Sequence, residues 1–362
     1  MSDLKNVKVT RDEKAWEVGV RAEIPADVLA KYKKEALKEI QKTAKFDGFR
    51  PGKAPVERIL EVYGESALMR HAVEHAIQHE LPELLAKENL LVIESPRVET
   101  EDPVAGKPLS FTARASLAPR VDLPDYKALA QKHPPAGEEV VAVSDDEHTE
   151  ALTHLRRERA RIDKIEAGTE TQKAAEESRA MKADELPALD DEFVQSLGYE
   201  SAEKFTEVLR TNIKNEKEIR AREKRRAAIL DELVEKSTIF YPAVLREYEL
   251  DEMEGRLKAD IERSGMTFDG YLKEAKKTRE EMRASWSDAA DKRAKVRLIL
   301  VEIARAENIE PPKEELEKQI DHAKQHYPSA DHAALRAHIT HAMRNEATLK
   351  FLESLSLFST KG

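Results

Sequence analysis

Beyond Leu189 nearly all apolar residues fall at helical spacing, and Pro242, Pro311, Pro312 and Pro328 are the strongest breaks in the pattern. This periodicity predicts helices over 201–236, 242–263, 267–276, 278–308, 313–326 and 331–353. Several of the apolar stripes are thin for their length, and a helix with a narrow stripe cannot be buried all round. Arms and grooves are therefore expected there in preference to a ball.

Composition points the same way. The chain has 362 residues, a length that favours two or three domains. Charged residues make up 36%, and the aromatics are only two Trp, eight Tyr and nine Phe, so any core rests on Leu, Ile, Val and Ala. With no cysteine, disulfides, thiol catalysis and Cys-type zinc sites are excluded. The start, Met1-Ser2-Asp3-Leu4-Lys5, has no apolar signal region, and no run reaches the ~18 apolar residues of a membrane span, so a cytoplasmic protein is expected. Net charge is −10, which speaks against general nucleic-acid binding. Charge is uneven, however: Ala26 to Arg58 holds nine Lys/Arg against five Asp/Glu. A local basic element on an acidic chain suits docking to one anionic surface.

The first 118 residues read as a compact α+β domain. Trp16, Val18, Val20, Ala22 and Ile24 alternate along a strand, with Val7 and Val9 on a shorter partner. Pro25 and Asp27 open a helix carrying Val28, Leu29, Tyr32, Ala36, Leu37 and Ile40. A glycine-bearing loop from Phe46 to Lys53 interrupts it, Pro55 starts a short helix to Tyr63, and a longer helix runs to about Lys87. Strands are expected over Leu90–Glu99 and Leu109–Leu117. Prolines keep residues 119–144 irregular, with a short strand expected at Val140–Val143. Ser144 or Asp145 then caps a charged helix to about Ile165, and residues 166–188 read as a polar linker or frayed helix.

The segment Phe46-Asp47-Gly48-Phe49-Arg50-Pro51-Gly52-Lys53-Ala54-Pro55 resembles the ribosome-docking signature of the trigger factor family, in the same inter-helix loop of an N-terminal α+β domain. Val141 to Glu147 and the charged helix after it resemble that family's linker and arm, and Glu185 to Phe193 resembles its entry into the C-terminal domain. The resemblance covers most of the chain. It implies an α+β ribosome-binding domain (1–118), a linker and arm helix (119–165), a short linker (166–188) and an extended, mostly α-helical chaperone domain with arms (189–362). Family members carry a prolyl-isomerase domain between the arm helix and the Leu-Pro-x-Leu-Asp entry. The 166–188 interval is far too short for that domain, which needs at least ~50 residues. Pro51 is a second departure, since some members have a basic residue there.

The resemblance implies that the tip binds the large ribosomal subunit near the exit tunnel, touching RNA and a rim protein. It also implies nascent and unfolded polypeptides as clients, no cofactor, no metal, no membrane, and self-association as a homodimer. In that tip, Gly48 and Gly52 permit tight turns, Pro51 stiffens, Phe49 offers an apolar anchor, Arg50 a forked cation and Lys53 a second charge. Client contacts are expected on thin stripes at Val244, Tyr248, Met253 and Leu257, and at Leu352, Leu355 and Phe358. Each of these, taken singly, is more often a helix-packing residue.

Other signals carry less. His71, His75 and His79 are spaced i, i+4, i+8, a geometry that can hold a metal, but without a zinc-protease carboxylate they read as surface histidines, as do His322, His326, His332, His338 and His341. Arginine-rich runs at 156–161 and 217–226 are interleaved with acids and read as solvated helix faces. No Walker-type loop occurs, so nucleotide-driven cycling is unsupported. The leading function is an ATP-independent, ribosome-docked chaperone. A prolyl isomerase and a helical structural adaptor are the alternatives.

Overall fold

The computed structural model describes residues 2–43, 49–50 and 52–355. They form two compact units, Met1–Leu123 with Ser237–Glu302, and Pro124–Lys236 with Ile303–Gly362. The expected class holds: strands in the N-terminal region and helices in the C-terminal one. Division by packing does not follow sequence order, however, because 237–302 groups with the N-terminal residues.

In chain order the elements begin with β1 (Lys5–Asp12), β2 (Glu17–Ile24), α1 (Ala26–Thr43), α2 (Val56–Tyr63), α3 (Glu65–Lys87), β3 (Arg97–Thr100), β4 (Leu109–Ser116) and β5 (Arg120–Asp122). The first sheet is antiparallel in the order β1-β2-β4-β3. On its buried face large residues oppose small ones: Val18 lies across from Ala115, Val20 from Ala113 and Ala22 from Phe111. Under them lie Leu29 and Ala36 of α1 and Leu68, Ala72 and Ala76 of α3, all fully covered. The small residues let sheet and helices approach, which is how a core poor in aromatics reaches close packing. Tyr32 Oη donates to Glu80 Oε1 at 2.8 Å, and Glu80 Oε2 accepts from the Asp3 backbone N–H at 2.6 Å, so the buried Glu80 fixes α1 against α3.

Two local readings change in this unit. The expected 90–99 strand shrinks to β3 plus a bridge between Val92 and Leu117, because Pro96 has no N–H for a ladder. Trp16 leaves the strand alternation for a left-handed turn at φ 54°. There its indole donates to Ala118 O at 2.8 Å and its ring stacks on Phe240 at 4.8 Å.

The chain continues with α4 (Tyr126–Gln131), α5 (Glu138–Val141), α6 (Asp145–Glu166), α7 (Thr171–Ala180), α8 (Asp191–Ser196) and α9 (Ala202–Lys236). Val140, expected in a strand, sits in the single helical turn α5, where its N–H donates to Gly137 O at 3.0 Å instead of to a ladder. Ser144 caps α6 in a reciprocal box with Glu147. Within 166–188 the chain forms α7, which folds back on α6: Ala160, Ala174 and Ser178 are buried, and Lys164 pairs with Glu177 at 2.7 Å. Arg156 donates to the carbonyls of Leu186 and Pro187 at 2.6 and 2.8 Å, tying the segment after α7 to the middle of α6.

The remaining elements are β6 (Thr238–Phe240), α10 (Ala243–Arg263), α11 (Phe268–Ala275), α12 (Arg279–Ser285), α13 (Ser287–Ala306), α14 (Lys313–His326) and α15 (His332–Ser354). Strand β6 pairs with β5. The expected 278–308 helix is broken at Trp286, so that α12 and α13 are separate. Ion pairs hold these charged helices where apolar stripes are thin. Arg283 reaches Glu247, Asp251 and Glu254 of α10, and in the second unit Arg226 of α9 pairs with Glu346 and Glu353 of α15. Among the described residues no helix is long and apolar enough to cross a membrane.

Candidate functional site: the inter-helix loop and the exposed apolar faces

The loop between α1 and α2 is tied at its stem to the last turn of α1. Gly52 N–H donates to Gln41 O at 2.8 Å, and Gln41 Nε2 donates to Ala54 O at 2.5 Å. Lys53 N–H bonds Arg50 O at 3.0 Å, closing a turn in which Gly52 sits at φ +82°, a conformation that side chains resist. Ala54 is buried in the core and anchors the returning strand of the loop. Beyond this stem, Phe49 is 41% exposed and Arg50 and Lys53 are exposed. Among the described residues neither Arg50 nor Lys53 has an ion-pair partner. An uncommitted guanidinium beside an exposed ring can meet a phosphate or carboxylate while the ring covers an apolar or base face. Gly48 and Pro51, two further residues of the expected docking tip, lie outside the described residues. Gln41 is the contributor that sequence reasoning missed. Its position one turn from a helix end marks it only as polar, and nothing in the spacing shows that its amide spans the loop stem.

The expected client-facing residues divide. Val244 and Tyr248 share the exposed side of α10, with the Arg297 guanidinium 4.9 Å from the Tyr248 ring centroid. Met253 and Leu257 are half-buried, as is Leu355. Leu352 needs correction: at 1% exposure it is a core residue of its unit, so it packs and offers no surface. Phe358 lies outside the described residues. A shallow hollow of about 450 Å³ borders Tyr248, Gly255 and Ala259.

The larger apolar surface was not anticipated. A groove of about 870 Å³ runs between α3 and the 90–103 segment, walled by Val73, Ile77, Leu81, Leu85 and Val98. Beside it Leu91 is 75% exposed. The helical spacing of α3 reads as core packing, and Val73, Ile77, Leu81 and Leu85 are indeed buried, so the apolar surface along the groove comes mainly from Leu91 and the 90–103 segment.

Along α10 the electrostatics are organised around two buried acids. Burial opposes ionisation of Glu254, but hydrogen bonds from Arg279, Lys258 and Arg283 hold its carboxyl down at about 2. Glu249, 1% exposed, is paired with Arg293 and Arg297 at 3.0 and 2.7 Å.

An α+β domain that presents an exposed aromatic–guanidinium loop, and helices that keep apolar side chains exposed, are the features a docking chaperone would use for contact. Residues 5–155 match the family model "Bacterial trigger factor protein (TF)", and residues 201–350 match "Bacterial trigger factor protein (TF) C-terminus". The chain belongs to the trigger factor family. Among curated relatives, "Trigger factor" of Caldicellulosiruptor saccharolyticus is 27% identical, with 80% of this chain and 82% of the relative covered. "Trigger factor" of Clostridium beijerinckii is 24% identical, covering 84% and 89%. The first of these alignments spans 368 positions, more than four-fifths of a 362-residue chain can fill, so the relative carries residues there with no counterpart here. A solved structure described by "Promiscuous Substrate Recognition in Folding and Assembly Activities of the Trigger Factor Chaperone" is similar in fold. Its TM-score is 0.53 at 17% identity, with 97% of this chain and all of that one covered.

Proposed function

We propose that this protein is a cytosolic, ATP-independent chaperone that docks at the ribosomal exit through the loop Gly48-Phe49-Arg50-Pro51-Gly52-Lys53 and covers apolar stretches of emerging polypeptides. The observation that carries the reading is the exposed Phe49–Arg50 pair, whose arginine has no ion-pair partner among the described residues, on a stem fixed to α1. Arg50 and Lys53 meet ribosomal RNA or a protein of the tunnel rim, and Phe49 supplies apolar contact. Val244 and Tyr248, with the half-buried Met253 and Leu257 of the same helix, contribute weak client contacts whose lack of directional bonding suits unrelated sequences, and Leu355 contributes one on the other unit. The free protein pairs as a homodimer by covering the same surfaces.

The reading includes no isomerase activity. The family models leave 156–200 unmatched, an interval taken up by the second half of α6, by α7 and by the short α8. The decisive experiment is co-sedimentation with 70S ribosomes of the intact chain and of Phe49→Ala/Arg50→Ala. Removing a charge-assisted contact worth about 2 kcal/mol should weaken binding on the order of thirtyfold. Equal binding by a folded double variant sinks the docking assignment.

A further inference from the structure

Three side chains on the α1–α3 face converge in a way the helix spacing alone did not show. His71 and His75 are one turn apart on α3, with ring centroids 5.0 Å apart in an edge-on arrangement. Glu39 comes from α1, and its Oε2 lies 2.6 Å from His75 Nε2 and 4.0 Å from His71 Nε2. One ligand atom from each residue lies within 4.8 Å of the other two.

We infer that Glu39, His71 and His75 form a binding site for a divalent late transition-metal ion, with Zn²⁺ and Ni²⁺ the ions to which two imidazoles and one carboxylate are best matched. Two histidines at i and i+4 present nitrogens to one point above a helix, and tetrahedral zinc takes N and O donors at about 2.0–2.2 Å. Donors around such an ion stand roughly 3.3 Å apart, so the Glu39–His75 contact opens by less than about 1 Å on binding. The remaining position is open to water, since all three side chains are partly exposed.

The surroundings favour a defined site. Glu74 Oε2 lies 3.8 Å from His71 Nδ1, on the far side of the ring from Glu39. That separation is too long for a hydrogen bond, but it puts a carboxylate on the side of the ring where the outer support of a metal-bound imidazole stands, leaving Nε2 for the ion. Two turns before Glu39, the buried Tyr32–Glu80 hydrogen bond fixes how α1 sits on α3. That register holds the carboxylate opposite the histidines. His79 stacks on Tyr32 with centroids 6.0 Å apart and is not a ligand.

Titration of the chelator-treated full chain with ZnCl₂ alone, by calorimetry and by thermal melting, tests the site. One saturable site is expected, with a metal-dependent rise in melting temperature. His71→Ala/His75→Ala should lose both, and Glu39→Gln should bind at least tenfold more weakly. His322→Ala/His326→Ala removes the other close histidine pair, with centroids 4.6 Å apart, and should retain both. These partly exposed positions tolerate substitution, and circular dichroism checks that each variant is folded. Unchanged zinc uptake by a folded His71→Ala/His75→Ala, loss of uptake on removing His322 and His326 instead, or no saturable uptake by the wild type each overturns the assignment.

Discussion

At Glu254 three cations converge on a single carboxylate that is almost fully enclosed. Its folded value of about 2 lies below the 4.5 of a free glutamate, so the unfolded chain binds the proton more readily. The stabilisation is therefore complete above about pH 4.5 and is lost as pH falls towards 2. Glu254→Gln should cost about 2 kcal/mol at neutral pH, and the deficit should narrow on acidification when urea midpoints are compared between pH 6 and pH 3. Tyr32→Phe removes one buried hydroxyl bond and should cost about 1 kcal/mol, read in the same experiment. Gln41→Ala should leave stability nearly unchanged but weaken ribosome co-sedimentation, because it frees the loop stem without touching Phe49 or Arg50. At this scale the sequence showed the chemistry of the loop, since glycine, aromatic and arginine types are legible as letters. It did not show partners distant in sequence: Gln41 spanning the stem, Glu39 facing two histidines, or Leu352 turned inward.

Helix positions were legible because caps and prolines leave local marks. Ser144, Thr267, Thr278 and Asp331 all accept from backbone N–H groups at the starts of their helices. Strands β5 and β6 were not, because three-residue segments carry no period and depend on each other for definition. Helix α7 hid for a different reason: alanine and serine make its buried side, and small residues do not register as an apolar stripe. That side permits close approach to α6, so Ala174→Leu should overpack the hairpin by about 1–3 kcal/mol. Amide exchange would then quicken over 171–180 and stay unchanged in β2 and β4. Because Arg156 holds the returning chain at Leu186 and Pro187, the turn around Gly168 should accept a folded inserted domain with little loss of stability. A melting curve of such a fusion, compared with the parent chain, checks it.

For the molecule as a whole, the absence of an isomerase pocket from the proposed reading predicts no acceleration of proline-peptide isomerisation above the uncatalysed rate, together with ATP-independent suppression of aggregation of a denatured substrate. Clear isomerase turnover would overturn that part of the reading. The pairing of Asp122 with Thr238 and Arg120 with Phe240 has a further outcome for how such a chain is made. The four-stranded sheet has all its strands once Ser116 has been synthesised, yet β5 must wait for a mate encoded roughly a hundred residues later, and Trp16 waits with it for the ring of Phe240. During translation the newborn N-terminal portion therefore stays unfinished along one border until the whole intervening stretch has emerged. A protein cast as guardian of growing chains is, for that interval, a growing chain with an unzipped seam of its own.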